Sequence, residues 1–307
     1  MQLKIGTRES ALALAQTQLI TDLLAAKNVS ATVVNIKSEG DINLVQPLYE
    51  MGIQGIFTKS LDEALLNHKV DLAVHSLKDV PTMLPKGLVI CAIPLRANPF
   101  DVMLSRDKIS LEKIAAGEIN ATIATSSLRR KAQWLHKYPT HKTENIRGNV
   151  QSRIEKLEKN TTWGGVIFAK AGLDRLGINY PNAIVLDWIV PAPAQGAIAV
   201  VCRAEDGYLL EIMGQFTDAN TQNCVNAERQ FLSTLHGGCS VPIGCYAEIK
   251  GNQMTIEGCI LMEDGSKKMG LKRTFNENEY DVAGKIMAEN LLANGAEKII
   301  ETFRKAL

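Results

Sequence analysis

The sequence predicts an α/β protein made of two successive α/β units and a smaller C-terminal α+β unit, and three observations carry that reading. Short apolar runs alternate with helical patterns through the first two thirds of the chain, as in a mostly parallel sheet covered by helices. The pattern restarts after Asn98-Pro99 and breaks again at Pro191-Ala192-Pro193. Near the end, Gly251-Asn252 and Asp264-Gly265 separate three strand-like runs, the mark of an antiparallel sheet. A length of 307 residues is enough for two or three buried cores.

In order, a first strand is expected over 3–6. Leu12, Ala15, Leu19 and Leu23 then recur at helical spacing, with Ser10 as N-cap. Strands follow at 33–36, 72–74 and 88–93, with a helix over 59–67 between the first two. The second unit is expected to hold strands at 102–104, 122–124, near Ile146 and at 166–169, and helices around Leu111, over 150–159 and over 173–176. A strand at 197–202 and a helix over 223–235 lead into the last unit. That unit contains strands at 246–250 and 254–261, a third strand and two closing helices.

Composition narrows the function classes. The formal net charge is +1 and 22% of residues are charged, so no nucleic-acid polyanion or membrane surface is expected as partner. Any anion site is then local. Six cysteines without a CxxC pair point away from a zinc knuckle or disulfide framework and toward reduced thiols, hence a cytoplasmic setting and no metal. Gln16, Thr17 and Gln18 interrupt any secretory core, and no run approaches the roughly 18 apolar residues of a membrane span.

The arginines are unevenly placed. Seven of the twelve fall between Arg129 and Arg229. Ser126-Ser127 ends a predicted strand and opens a helix, where free N–H groups and the helix dipole favour an anion. Arg129 and Arg130 sit in that first turn, where cations oppose the dipole unless they recruit a carboxylate or phosphate. Arg8 before Ser10 and Arg147 before Gly148-Asn149 repeat the arrangement, which points to a polyanionic ligand in a cleft as against scattered surface charge. His75-Ser76-Leu77-Lys78-Asp79-Val80-Pro81 follows an apolar strand at the sheet edge where α/β proteins bind ligands. Asp79 is the candidate acid–base group, its alternative being a turn cap before Pro81, and His75 is expected to pack. Gly237-Gly238-Cys239-Ser240-Val241-Pro242 sets a thiol in a flexible loop, unlike Cys202 inside an apolar strand, so Cys239 is the reactive candidate.

Together these blocks, with Gly6-Thr7-Arg8-Glu9-Ser10, Thr125-Ser126-Ser127-Leu128-Arg129-Arg130, Ile146-Arg147-Gly148-Asn149-Val150 and Ala171-Gly172-Leu173-Asp174-Arg175-Leu176-Gly177, resemble the porphobilinogen deaminases over nearly the whole chain. The resemblance implies two periplasmic-binding-protein-like (type II) α/β domains, 1–98 with 194–217 and 99–193, and a C-terminal domain over 218–307. It implies a transferase of tetrapyrrole (haem) biosynthesis that joins four porphobilinogens, with loss of ammonia, on a dipyrromethane cofactor held by a thioether to Cys239. Hydroxymethylbilane is the product, and no further partner beyond a monomer is implied. Asp79 would stabilise the positive charge of the azafulvene formed on ammonia loss, with Lys78 as supporting charge. Arg8, Ser10, Thr125, Ser127, Arg129, Arg130, Arg147 and Arg153 would hold carboxylates, with Arg175 and Lys59 as further candidates.

Three places depart from the family pattern. Gly52-Ile53-Gln54-Gly55-Ile56-Phe57 lacks a glycine and a basic residue of a segment that often forms a lid. Ala194 stands where glycine is common, and Glu39 where a basic residue is often found. Two rival readings are a solute-binding protein of the same architecture and, more remotely, a hydrolase pairing Cys239 with His236.

Overall fold

The computed structural model describes residues 2–37, 58–236 and 241–304. The Gly52–Phe57 block, Glu39 and the segment 237–240 with Cys239 lie outside the described residues.

Among the described residues the strands form three sheets. In the first, β1 (Gln2–Thr7) pairs in parallel with β2 (Ser30–Asn35) and β3 (Leu72–Ser76). β10 (Ile198–Arg203) lies antiparallel between β3 and β4 (Leu88–Ala92). The second sheet repeats the plan in the order β7 (Lys142–Glu144), β6 (Thr122–Ala124), β8 (Trp163–Ala169), β5 (Asp101–Leu104), β9 (Ala183–Leu186). Here β5 is antiparallel to both neighbours. The antiparallel member of each sheet is the first strand after a chain crossing, β5 after Asn98-Pro99 and β10 after Pro193. Each crossing therefore runs straight into the interior of a sheet. Both inserted strands are buried at every residue, which is why they read as unbroken apolar runs.

Helices cover the sheets: α1 (Ala11–Ala25), α2 (Lys59–Leu66), α3 (Lys108–Ala116), α4 (Leu128–Lys137), α5 (Val150–Lys159), α6 (Lys170–Arg175) and α7 (Gly207–Gly214). The third sheet is an antiparallel meander of β11 (Ile243–Lys250), β12 (Gln253–Leu261) and β13 (Lys268–Asn276). α8 (Ala219–Thr234) and α9 (Tyr280–Leu291) close a core around Phe231, Ile256, Phe275 and Met287, and α10 (Glu297–Arg304) follows. This is the expected α/β class with a C-terminal three-stranded antiparallel sheet.

The strand expected near Ile146 is instead at 142–144. Ile146 is 2% exposed, which explains its strand-like appearance, but the Ser126 hydroxyl serves its backbone by accepting from its N–H and donating to its C=O. β9 and α7 carried no clear periodicity, β9 because it is an edge strand with two of four residues exposed.

The return crossing is conformationally demanding. Ala194 has φ 62 and is fully buried, and Gly196 has φ 89. That left-handed geometry accounts for glycine being common at position 194. A Cβ at Gly196 would lie 2.7 Å from the Ala97 carbonyl oxygen, so the two crossings touch there. We predict that Gly196→Ala lowers stability by about 2–4 kcal/mol through combined strain and overlap. Ala194→Gly should stay within about 1 kcal/mol of wild type, because relief of strain offsets the lost methyl burial. Urea unfolding midpoints decide; a wild-type midpoint for Gly196→Ala would contradict this reading.

Candidate active site

Three strand-to-helix turns in the first two units each end in a side-chain cap. Ser10, Ser127 and Asn149 accept from the backbone N–H of Ala13, Arg130 and Ser152 respectively. Each cap satisfies one of the four open N–H groups of its helix. Thr125 is buried, and its hydroxyl accepts from the Ser127 N–H at 3.2 Å. The Arg147 turn depends on Gly148, whose φ is 114 and where a Cβ would strike the Ser152 hydroxyl. Arg8 and Arg147 are half-buried beside their caps.

β3 delivers the next group. It runs directly into the single turn Leu77–Asp79, so Lys78 and Asp79 emerge at the sheet edge, both half-buried. Lys78 Nζ donates to Gln195 Oε1 at 3.3 Å. Burial brings the Lys78 pKa down to about 8; Asp79 and Asp101 pull it up, and Arg130 and Arg129 push it down. The lysine on the first sheet therefore feels the arginines on the second. His75 is 5% exposed, with its pKa lowered to about 4 by burial and then by Arg8. It is a packed, neutral imidazole, as expected.

Asp101, at the start of β5 and fully buried, organises the arginines. Arg129 pairs with its Oδ2 at 2.8 Å, and Arg130 donates to its Oδ1 through Nη2 at 2.8 Å and Nε at 3.1 Å. Two more guanidinium donors have protein acceptors, Arg129 Nη1 at the Val190 carbonyl and Arg130 Nη1 at the Ile167 carbonyl, while the buried Arg129 Nε has no hydrogen-bond partner. Gln195 Nε2 adds a bond to Asp101 Oδ1 at 2.8 Å. Burial raises the Asp101 pKa, but Arg129 and Arg130 outweigh it and hold the carboxyl well below the usual range. The family resemblance implies an outside carboxylate for both guanidinium groups. In the structure they are anchored on this internal one, because the buried Asp101 charge needs neutralising partners.

Arg153, on α5, donates through Nε to the Gly148 carbonyl, and its pKa falls to about 10 through burial and the nearby charges of Arg130 and Arg147. Arg175, at the end of α6, reaches the Gly196 carbonyl with Nη2 at 2.6 Å, and burial lowers its pKa against the pull of Asp174. Lys59 opens α2 with its side chain exposed. The structure thus gathers Lys78, Asp79, Arg129, Arg130, Arg147 and Arg153 into one electrostatic neighbourhood, drawn from both sheets. Cys91, Cys202, Cys224, Cys245 and Cys259 are all buried free thiols. Burial pushes Cys224 up to about 12 and Cys259 to about 11, so these are weak nucleophiles.

Comparison with known proteins gives this arrangement a family. The model of the porphobilinogen deaminase dipyrromethane cofactor binding domain matches residues 3–211, and that of the C-terminal domain matches residues 222–293. The chain belongs to the porphobilinogen deaminase family. It is 39% identical to the porphobilinogen deaminase of Desulforamulus reducens, covering 99% of this chain and 98% of that one. It is 37% identical to that of Bacillus subtilis, covering 99% and 97%. Among solved structures it is similar to the periplasmic VFT2 domain of Bordetella pertussis BvgS, at TM-score 0.42 and 11% identity over 70% of this chain and 86% of that one. An ancestral cationic amino acid solute binding protein gives TM-score 0.42 and 13% identity over 70% and 87%.

The activity is therefore that of hydroxymethylbilane synthase, a transferase acting on porphobilinogen with a dipyrromethane cofactor. The solute-receptor and hydrolase readings fall away with it. The donor set fits such a cofactor: Lys78 and Arg153 are cations whose charge is disfavoured by burial, and an incoming carboxylate would relieve that. Sequence reasoning missed Asp101, Gln195, Arg96 and Glu228. Two of these carried a signal, an acid opening a wholly buried strand and Glu228 lying on the apolar stripe of α8. Arg96 and Glu228 form a bidentate pair at 2.6 and 3.0 Å beside the crossings. Asp101→Asn leaves two buried guanidinium groups without a counter-charge, and we predict a stability loss of about 3–5 kcal/mol at pH 7. The depressed Asp101 pKa means that its contribution is present above the unfolded-state value and lost only as pH falls through the folded one. The deficit measured by denaturant unfolding should therefore shrink in strong acid; one that grows there would contradict the assignment.

Proposed function

We propose that Asp79 is the catalytic carboxylate, that Cys239 anchors the cofactor, and that Lys78, Arg8, Arg147, Arg153 and Arg175 hold pyrrole carboxylates across the cleft. What supports this is the convergence of Lys78 and Asp79 from β3 with Arg129, Arg130 and Arg153 from the second sheet. When bound, dipyrromethane supplies the acceptor pyrrole carbon and remains with the enzyme. Asp79 accepts hydrogen bonds from pyrrole N–H groups and stabilises the positive charge that grows on substrate nitrogen as ammonia departs. Arg129 and Arg130, locked on Asp101, add fixed positive potential and bind carboxylate only at their outward edges. Ser10, Thr125 and Ser127 shape the turns that present backbone N–H groups. Lys59, exposed at the start of α2, is a further carboxylate-binding residue. That the five described cysteines are all buried supports Cys239 as the attachment residue.

The chain divides into 1–98 with 194–217, 99–193 and 218–307, with the two crossings as hinge, and it works as a cytoplasmic monomer. Among the described residues no helix is long and apolar enough to cross a membrane.

Asp79→Asn should lower turnover by roughly 100-fold or more while the protein still colours with Ehrlich's reagent. Near-normal turnover would remove Asp79 from the reaction. Lys78, with its pKa near 8 in the ligand-free protein, should become more basic beside a substrate carboxylate. Binding then takes up a proton, so KM should rise as pH increases above about 8, and a Lys78→Gln enzyme should lose that rise. A KM that is flat across that range in wild type would contradict the contact.

A further inference from the structure

The turn that carries Lys78 and Asp79 has little to hold it by itself. It is three residues long, with no side-chain cap, closed by the Val80 N–H bond to the Leu77 carbonyl and followed at once by Pro81. A segment that short does not fix its own geometry. The structure holds it from outside, with one helix of the C-terminal unit. Arg229 on α8 donates through Nη1 to the carbonyls of Val80 at 2.9 Å and Leu77 at 3.5 Å, and through Nη2 to that of Pro81 at 2.6 Å. One turn earlier on the same helix, the fully buried Val225 packs with Leu77 and Val80. The two residues are spaced i and i+4, so one helix face supplies both an apolar seat and a polar fork.

We propose that Arg229 is a positioning residue for the reaction, holding the Leu77–Pro81 turn so that Lys78 and Asp79 keep their place in the cleft. The inference rests on the site reading given under Proposed function. It also links two parts of the enzyme. α8 ends at Thr234, a few residues before Cys239, so the helix that grips the catalytic turn is the one leading to the cofactor-bearing segment. Arginine suits the task because its planar fork serves several carbonyl oxygens at once, which lysine's single ammonium does less well. Burial lowers the pKa of Arg229 relative to ordinary arginine, so its charge is retained at a desolvation cost that an exposed residue would not bear. A cavity of about 280 Å³ lies beside it, lined by Arg229 itself with Thr82, Asn226 and Tyr280 among others.

The test uses the cofactor-loaded enzyme with Arg229→Ala, Arg229→Lys and Asp79→Asn side by side. For Arg229→Ala we expect kcat to fall on the order of 100-fold with KM changed less than about threefold, as for a misplaced catalytic group. Hydrogen exchange should rise over residues 76–82 and stay unchanged in the β11–β13 sheet. Arg229→Lys, or methylguanidinium added to Arg229→Ala, should restore part of kcat. The inference is overturned if kcat is unchanged, or if its loss accompanies faster exchange throughout the C-terminal unit without rescue. Should Arg229→Ala fail to fold, the same two readouts on Arg229→Lys decide, with wild-type kcat and wild-type exchange at 76–82 counting against. If Asp79→Asn keeps full turnover, the site reading fails and takes this inference with it. If Asp79→Asn is impaired and Arg229→Ala is not, only the inference fails.

Discussion

The buried carboxylate of Asp101 is the constraint on which the site depends. It stands at the first residue of the strand that enters the second sheet after the chain crosses over, and it neutralises Arg129 and Arg130. Gln195, from the return crossing, bonds to the same carboxylate and also accepts from Lys78. One chain of contacts thus joins both crossings, both α/β sheets and Lys78 in the turn after β3. A pair or triad of buried charges contributes little net stability compared with an apolar replacement of the same shape. What it gives here is placement: two guanidinium groups fixed on one internal carboxylate, with Arg153 and Lys78 near enough to feel their charge, both at lowered pKa. Positive potential concentrates there although the whole chain is nearly neutral.

The C-terminal unit is wired to the same crossings. Glu228 takes Arg96 from the first crossing and the N–H groups of Ala194 and Ala247, the latter on β11. On the other side, α4 packs against the turn between β12 and β13, where the Gly265 carbonyl bonds to His136 and a Cβ would collide with the helix backbone. The C-terminal unit therefore touches both α/β units through polar contacts and through apolar ones, Val225 against Leu77 and Val80, and Cys259 and Leu261 against Ala132 and Val190.

Much of this was readable in one dimension, and the exceptions have physical causes. The Ser10, Ser127 and Asn149 caps, the inserted strand after Pro193 and the β11–β12 hairpin follow from local rules of capping, burial and turn chemistry. The position of Ile146 did not, because a serine hydroxyl twenty residues away, not a strand partner, satisfies its backbone. Arg129 and Arg130 were found as a motif, but their anchoring on Asp101 is a contact between residues 28 and 29 positions apart that no periodicity encodes. The strain at Ala194 is a further case. Glycine is common at this position in the family, and the backbone there is left-handed, a reason that the sequence by itself does not state.

The account stands on a carboxylate-rich pyrrole chain tethered opposite these cations. Mass analysis of the proteolytic fragment containing Cys239, taken from material of measured activity, addresses that most directly. The fragment should carry a dipyrromethane in thioether linkage. A bare thiol at that position in fully active enzyme would contradict the account.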